Sequence, residues 1–422
     1  MTVHDKRLAN THDDILEAMA EALDIPPSKF EEAKSRYEAI GNWLDRPEST
    51  IAEYDPAISP QGSFLLGTVT RPFTDAEEYD VDLVCRLEAS KAQFTQKSLK
   101  EAVGHEVALY AQAHSMTDPE EHRRCWRLNY AAGAQFHMDI LPALPDAQRY
   151  QTKLFEQGYR ELAHDSALSG HAVAITDKTL PHYDRPTEDW PQSNPTGFAA
   201  WFRGRMRVRL TEAKRALAQR ERITASVDDI PDYKVKTPLQ RSIQLLKRHR
   251  DCMFADDCEH KPISIIITTL AAHAYNEEAT ISTALQSILT GMDRYIEDRG
   301  GVAWVVNPVN PAENFADKWA EESKKRDNFY RWLDQARRDF ALYLRASTFD
   351  KMPELLREHL GAKLVDRTIA AMLPVAAVDL AAPAIATGVS SATDMARAER
   401  AVEQINRAGP QSKPWQNHRQ GD

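Results

Sequence analysis

An α+β fold of two lobes, a mixed-sheet lobe followed by a mostly helical one, is predicted by three features of the sequence. The runs YDVDLV at 79–84 and QFHMDILP at 135–142 alternate apolar and polar residues with the two-residue period of half-buried strands. Between them Leu99, Val103, Val107 and Tyr110 recur at helical spacing, so this part reads strand, helix, strand around a mixed sheet. From about residue 150 onward long helical stretches dominate, parted by proline-rich or polar segments. The expected division is residues 1–150 for N-terminal helices and the sheet lobe, 151–374 for the helical lobe, and 375–422 for a mobile C-terminal tail.

Composition bounds the possibilities. With 422 residues the chain is long enough for two or three cores, and 42% hydrophobic and 27% charged residues are ordinary for a folded soluble protein. A net charge of −10 argues against constitutive nucleic-acid binding, which needs a basic surface to neutralise phosphates. No apolar run approaches the roughly 20 residues that span a bilayer, and MTVHDKRLANTHDD lacks an apolar signal core. A cytoplasmic protein with no membrane partner is expected. Cys85, Cys125, Cys252 and Cys258 are too scattered for a disulfide framework and read as reduced thiols.

The first helix is predicted over 3–23, where Leu8, Ile15, Leu16, Met19 and Leu23 keep helical spacing. Ser28, three before Glu31, has the pattern of a capping box, and Phe30, Ala33, Tyr37 and Ile40 continue a second helix up to Gly41. YDPAISP at 54–60 is a turn-rich connection. A helix follows over 91–116 and a strand over 123–132. Later helices are predicted over 150–164, 197–222, 237–250, 264–276, 278–299 and 312–345, with Gly300-Gly301 opening a short turn. In 197–222, Arg203, Arg205, Arg207, Arg209, Lys214, Arg215, Arg220 and Arg222 form a basic face that reads as solvated rather than as a binding surface.

The chemistry gathers in QGSFLLGTVTRPFTDAEEYDVDLV, residues 61–84. Asp80 and Asp82, two apart on a strand, project to one face while Tyr79, Val81 and Leu83 point to the other. By pattern alone such a pair is either a divalent-cation clamp or the wet edge of a surface strand. Asp139, alternating with Met138 and Ile140, offers a third carboxylate from a neighbouring strand. Three aspartates from two strands suit two Mg²⁺ ions, because hard cations take oxygen ligands and paired metals align an attacking hydroxyl with a departing pyrophosphate. Upstream, Gln61-Gly62-Ser63 puts a residue without a side chain and a hydroxyl after Pro60, where backbone N–H groups can cradle phosphates at a helix start.

The order Gly-Ser, an intervening segment, Asp-x-Asp on a strand and a lone Asp on a later strand resembles that of the DNA polymerase beta-like nucleotidyltransferases. The wording QGSFLLGTVTRP, EEYDVDLV and HMDILP is similar to one branch of them, the bacterial cGAS/DncV-like nucleotidyltransferases, or CD-NTases, of CBASS anti-phage systems. The resemblance implies a bilobed polymerase beta-like fold, with an N-terminal helix bracing both lobes and the catalytic lobe within 1–150. It implies that Asp80, Asp82 and Asp139 are catalytic ligands of two Mg²⁺ ions, with Mn²⁺ able to substitute, and that Gln61, Gly62 and Ser63 bind the nucleotide. Lys247 and Ser264 match, in order and spacing, a lysine and a serine that contact the donor triphosphate in this superfamily, and are carried over on that basis. NPVNPAENFADKW at 307–319 is similar to the loop before the final helix and is taken as scaffolding.

The implied activity is synthesis of a cyclic di- or trinucleotide second messenger from NTPs, ATP and GTP among them, with pyrophosphate release, in anti-phage defence. The implied partners are a separate messenger-activated effector and a HORMA-like or ubiquitin-transfer-like regulator, for which the tail is an attachment point in some systems. Nothing in composition or spacing speaks to cyclisation. One rival reading is a linear nucleotidyltransferase acting on RNA or protein, which the acidic chain disfavours for RNA. Another is a catalytically silent nucleotide-binding module, which has no need of three aspartates. His249, Cys252, Cys258 and His260 invite a zinc reading but lack Cys-x-x-Cys knuckles. Ser63 with His137 as a serine nucleophile lacks the Gly-x-Ser-x-Gly elbow, and GSFLLGT lacks the Lys-Ser/Thr ending of a P-loop.

Overall fold

Two helices lead the chain, α1 (His12–Leu23) and α2 (Pro27–Leu44). The structure, a computed structural model, describes residues 12–72, 78–130, 136–221, 230–345 and 352–372. Leu8, Arg222 and the expected tail at 375–422 lie outside the described residues. The capping box expected at Ser28 and Glu31 is not formed. Pro27 occupies the first helical position, where its fixed φ and missing N–H cost nothing, and no side chain caps the end. α2 also runs through Gly41, where a Cβ would meet Ile58 at 3.7 Å, to Leu44.

The sheet follows: β1 (Ala57–Pro60), the short α3 (Gly62–Leu66), β2 (Tyr79–Arg86), α4 (Gln96–Ala113), β3 (Glu120–Glu121), β4 (Trp126–Asn129) and β5 (Phe136–Pro145). β2 and β5 pair in parallel at its centre, with β1 antiparallel on β2 and β4, then β3, beyond β5. Thr95 and Ser98 start α4 with a reciprocal capping box, five residues after the helix was expected to begin. Tyr79, Val81 and Leu83 of β2 and Phe136, Met138 and Ile140 of β5 bury against Leu99, Val103 and Val107 of α4. Their alternate neighbours are thereby turned to the opposite face.

Next come α5 (Ala147–Glu156), α6 (Arg160–His164), α7 (Ser166–Ser169), β6 (Val173–Ile175) and β7 (Gln192–Ser193). β6 pairs with the far end of β5, and β7 with β6, so the sheet continues past the boundary expected at residue 150. A three-residue buried strand is too short to display a period.

The helical part comprises α8 (Pro195–Arg205), α9 (Arg207–Glu221), α10 (Pro238–Met253), α11 (Ser264–Ala274) and α12 (Ile281–Gly291). A small antiparallel sheet, β8 (Ile296–Arg299), β9 (Val302–Asn307) and β10 (Asn310–Asn314), interrupts it. The remaining helices are α13 (Lys318–Glu321), α14 (Ser323–Arg345), α15 (Met352–Leu360) and α16 (Ala362–Met372). The helix expected over 278–299 ends at Gly291. β8 then turns into β9 through Gly300 and Gly301, at φ 68° and 86°, a conformation open to glycine. Likewise 310–314 is a strand, not a helix start, because Asn314 bonds Val305 N–H and Ala303 C=O.

The basic face of 197–222 breaks into two helices at Met206, and several of its charges are engaged internally. Arg205 donates to the carbonyls of Ala272, His273 and Tyr275, closing the C-terminus of α11, while Arg203 and Lys214 pair with Asp232. Leu16, Met19 and Leu23 of α1 pack with Leu239, Ile243 and Leu246 of α10 in the larger core, whereas Ala33, Ile40 and Leu44 of α2 belong to the sheet's core. No helix of the described residues is long and apolar enough to cross a membrane.

Gly104 in α4 faces the Trp126 indole. A Cβ there would stand 2.3 Å from the ring, whose N–H donates to Lys100 C=O at 2.8 Å. Gly104→Ala must displace Trp126 and with it β4. It is expected to destabilise the protein by about 1–3 kcal/mol, read as a lower urea midpoint at unchanged m-value.

Candidate active site

Register decides which side chains meet. In the parallel pair, Asp80 lies beside His137 and Asp82 beside Asp139, and on the other side of β5 Arg127 lies beside Asp139. Asp80, His137 and Asp139 each offer a ligand atom within 4.8 Å of the others. His137 Nε2 is 3.2 Å from Asp80 Oδ1, and its Nδ1 is 3.3 Å from Glu78 Oε2. The hydrogen bond to Asp80 outweighs burial and raises the His137 pKa. Arg127 grips both Asp139 oxygens, with Nε at 2.8 Å and Nη2 at 2.7 Å. The carboxyl of Asp82 is pushed up to about 7 by burial and then by the neighbouring charges of Asp80 and Asp139.

This donor set is short of positive charge. Three carboxylates crowd one face, one of them is driven toward protonation, and an arginine and a histidine supply the available compensation. Hard oxygen donors in this arrangement fit Mg²⁺ or Mn²⁺.

Gly62, the first residue of α3, adjoins the same cluster. Its φ of 59° disfavours other residues, and a Cβ there would stand 2.4 Å from Asp82 Oδ2. Gln61 N–H donates to Asp82 C=O at 2.8 Å, fastening α3 to β2, and Ser63 C=O accepts from Thr68 N–H at 2.9 Å.

α10 fixes the far wall, and its residues from Leu239 to Arg250 are all buried. Its polar side chains meet the carbonyls of 66–72: Gln240 donates to Leu66 at 2.9 Å, Gln244 to Val69 at 2.7 Å and Lys247 Nζ to Thr68 at 3.0 Å. Arg248 extends the series to Arg71 and Pro72. Burial pushes the Lys247 amine down to about 7, helped by the nearby Arg250. Ser264 opens α11, and its Oγ accepts from Arg250 Nη1 at 2.8 Å.

A cavity of about 500 Å³ brings these parts together. Ser63, Asp80, Lys247 and Ser264 line it, with Arg71, Arg248, Arg250 and Lys261 as further cations. Asp82 and Asp139 adjoin Asp80 through the sheet, and Gln61 and Gly62 adjoin Asp82. Sequence reasoning missed Arg127 and the added cations. The run Lys247-Arg248-His249-Arg250 inside an otherwise apolar-striped helix was the available signal, since charges seldom bury without a role. The four zinc candidates do not converge: His249 bonds Asp339, His260 bonds Asp257, and Cys258 Sγ donates to the Phe254 and Ala255 carbonyls.

Comparison with known proteins adds five findings. A family model described as "Cyclic GMP-AMP synthase DncV-like, nucleotidyltransferase domain" matches residues 56–142. The chain is 28% identical over 352 residues to a c-di-GMP synthase of Roseivirga ehrenbergii, covering 83% of this chain and 84% of the relative. It is 25% identical over 384 residues to the cyclic dinucleotide synthase CdnG of Bradyrhizobium diazoefficiens, covering 86% and 83%. The structure of the B. diazoefficiens CD-NTase CdnG with GTP aligns at a TM-score of 0.63 and 23% identity, over 85% of this chain and 98% of that one. The E. coli MS115-1 CdnC:HORMA-deltaN complex aligns at 0.55 and 13%, over 83% and 97%. Both solved structures share the mixed-sheet and helical architecture described above.

Arg127 competes with any cation for Asp139. Arg127→Gln is therefore expected to tighten Mn²⁺ binding several-fold, measured by calorimetric titration of the nucleotide-free protein. Unchanged or weaker binding would show that the ion pair does not oppose the metal.

Proposed function

Since the chain belongs to the cGAS/DncV-like nucleotidyltransferases, we propose that it joins nucleoside triphosphates into a cyclic dinucleotide second messenger, releasing pyrophosphate, in anti-phage defence. The observation that carries this reading is that one cavity is lined by Asp80 together with Lys247, Arg248, Arg250 and Lys261. Acid suits a metal and the cations suit a triphosphate. Guanine nucleotides are the proposed substrates, because one relative is a c-di-GMP synthase and the CdnG structure contains GTP.

In the proposed mechanism Asp80, Asp82 and Asp139 would hold Mg²⁺, with Arg127 releasing Asp139. Divalent cations bound there would supply a lowered pKa for the acceptor ribose hydroxyl and neutralisation of charge on the leaving group. The hydroxyl attacks the α-phosphate in line, forming the new phosphodiester as the bond to pyrophosphate breaks. Ser63, with the backbone N–H groups of the Gly62 turn, and Lys247 with Ser264 hold the β and γ phosphates and take up the charge that develops on them. A second round on the retained linear product closes the ring. A HORMA-type regulator is a proposed partner because CdnC, which shares this fold, was solved in complex with one, and a separate effector would read the messenger.

Incubation with labelled NTPs and Mg²⁺ or Mn²⁺, then phosphatase treatment and mass spectrometry, is expected to yield a phosphatase-resistant product lighter by one water than its linear counterpart. Linear products alone would overturn the cyclase reading. Asp80→Ala and Asp139→Ala are each expected to lower synthesis at least ~10³-fold while leaving the circular dichroism spectrum unchanged.

Lys247 gives the reading a pH signature. Burial lowers its amine to about 7, and a bound triphosphate would raise that value. Binding should then take up a proton above pH 7, so affinity for a non-hydrolysable NTP is expected to fall as pH rises from 7 to 9. Lys247→Arg, always charged, should flatten that dependence.

A further inference from the structure

Outside the aspartate cluster, three helices of the larger core aim metal-binding groups at one point. His249 of α10, Asp339 of α14 and His359 of α15 each present a ligand atom within 4.8 Å of the others. Asp339 Oδ2 lies 2.9 Å from His249 Nε2 and 3.1 Å from His359 Nδ1. A tetrahedral zinc with bonds of about 2.0–2.1 Å spreads its ligands to roughly 3.3–3.4 Å, a few tenths of an ångström from these separations.

Three further observations set the cluster apart from a surface ion pair. His249 is 2% exposed and Asp339 8%, and the ion-pair partners of this carboxylate are the two imidazoles. Gln335 Nε2 donates to Asp339 Oδ1 at 2.7 Å, which orients the carboxylate and leaves Oδ2 turned toward the histidines, as an outer-sphere partner does for a metal-bound acid. A void of about 10 Å³, close to one water, opens among these groups, walled by Phe340, Tyr343, Leu356 and Leu360. An apolar wall excludes solvent that would otherwise hydrate a free carboxylate.

We propose that His249, Asp339 and His359 bind one Zn²⁺, with a water in the fourth position. Two imidazoles and one carboxylate are the ligand chemistry of zinc rather than of Mg²⁺, and the site is distinct from the all-oxygen set of Asp80, Asp82 and Asp139. The ion ties α15 to α10 and α14. The consequence reaches the triphosphate cavity, because Lys247 and Arg248 lie within two residues of His249 on the same buried helix. Leu360 and Arg367, after the ligand His359, also share a cleft with Arg71, Pro72 and Arg248.

The test uses the full chain carrying Asp80→Ala and Asp139→Ala, which removes the catalytic acid cluster as a competing site. After dialysis against metal-free buffer this protein is expected to retain about one zinc per chain by inductively coupled plasma mass spectrometry. Stripped protein should take up one equivalent in competition with a chromophoric chelator. Adding His359→Gln or Asp339→Asn should weaken that uptake at least tenfold, and zinc should raise the melting temperature of the parent but not of these variants. His359→Gln alters a partly exposed ligand, so retained folding is checked by its circular dichroism spectrum. No stoichiometric zinc in the parent, or equal uptake by folded His359→Gln and parent, would overturn the proposal.

Discussion

The in-register parallel pairing of β2 with β5 is the constraint to which the rest of the site answers. Adjacent strands stand about 4.8 Å apart, so Asp82 opposite Asp139 places two carboxylates at nearly that separation. At an effective dielectric of about 20 such a pair repels by roughly 3 kcal/mol. The backbone ladder and the apolar residues beneath it, Val81, Leu83, Met138 and Ile140, hold the strands together against that repulsion. The local answers are visible in the structure: Arg127 grips Asp139, His137 leans on Asp80, and the Asp82 carboxyl is pushed toward protonation. Gly62 belongs to the same account, since any side chain there would run into Asp82.

α10 answers a second constraint, that of backbone carbonyls buried in an irregular segment. Residues 67–72 lead from α3 toward β2 without regular structure, and their carbonyls, with that of Leu66 at the end of α3, need donors. Gln240, Gln244, Lys247 and Arg248 recur at helical spacing and meet the carbonyls of Leu66, Val69, Thr68 and Arg71 respectively. The same helix buries Leu239, Ile243 and Leu246 in the larger core with α1. One helix thus joins the wall of the cavity to the packing of the helical part, and a shift of either is felt by the other.

Legibility in the sequence followed the range of the interactions. The alternation around Asp80, Asp82 and Asp139 was readable because a strand's period is local, and it led to the strands that the structure pairs. Ser28 misled because its capping pattern competes with a proline already placed at the first turn. Gly291 and Gly300-Gly301 hid a small sheet inside an apparent helix, since four-residue strands carry too little pattern to outvote apolar spacing. Arg127 was out of reach for a different reason: its partner is set by antiparallel register across the sheet, not by spacing along the chain. The zinc candidates show the same limit, for His249 finds its partners 90 and 110 residues away in Asp339 and His359, not among its neighbours Cys252 and Cys258.

The charge arrangement of the cavity narrows what can occupy it. Glu78 and Asp80 at the β2 side would repel a free triphosphate, and Lys247, Arg248 and Arg250 of α10, offset in part by Asp251, would repel a free metal ion. A metal-bound nucleotide presents the complement of both at once, so each half of the ligand screens the half of the pocket that opposes the other. Arg127 sharpens the distinction, because its bidentate bond to Asp139 yields only to a competitor that brings more charge than one guanidinium. Lys247 does so from the other side: buried and readily deprotonated, it holds full charge when an anion lies against it. On this reading neither wall is poised for its partner alone, and the two become compatible when metal and triphosphate arrive together.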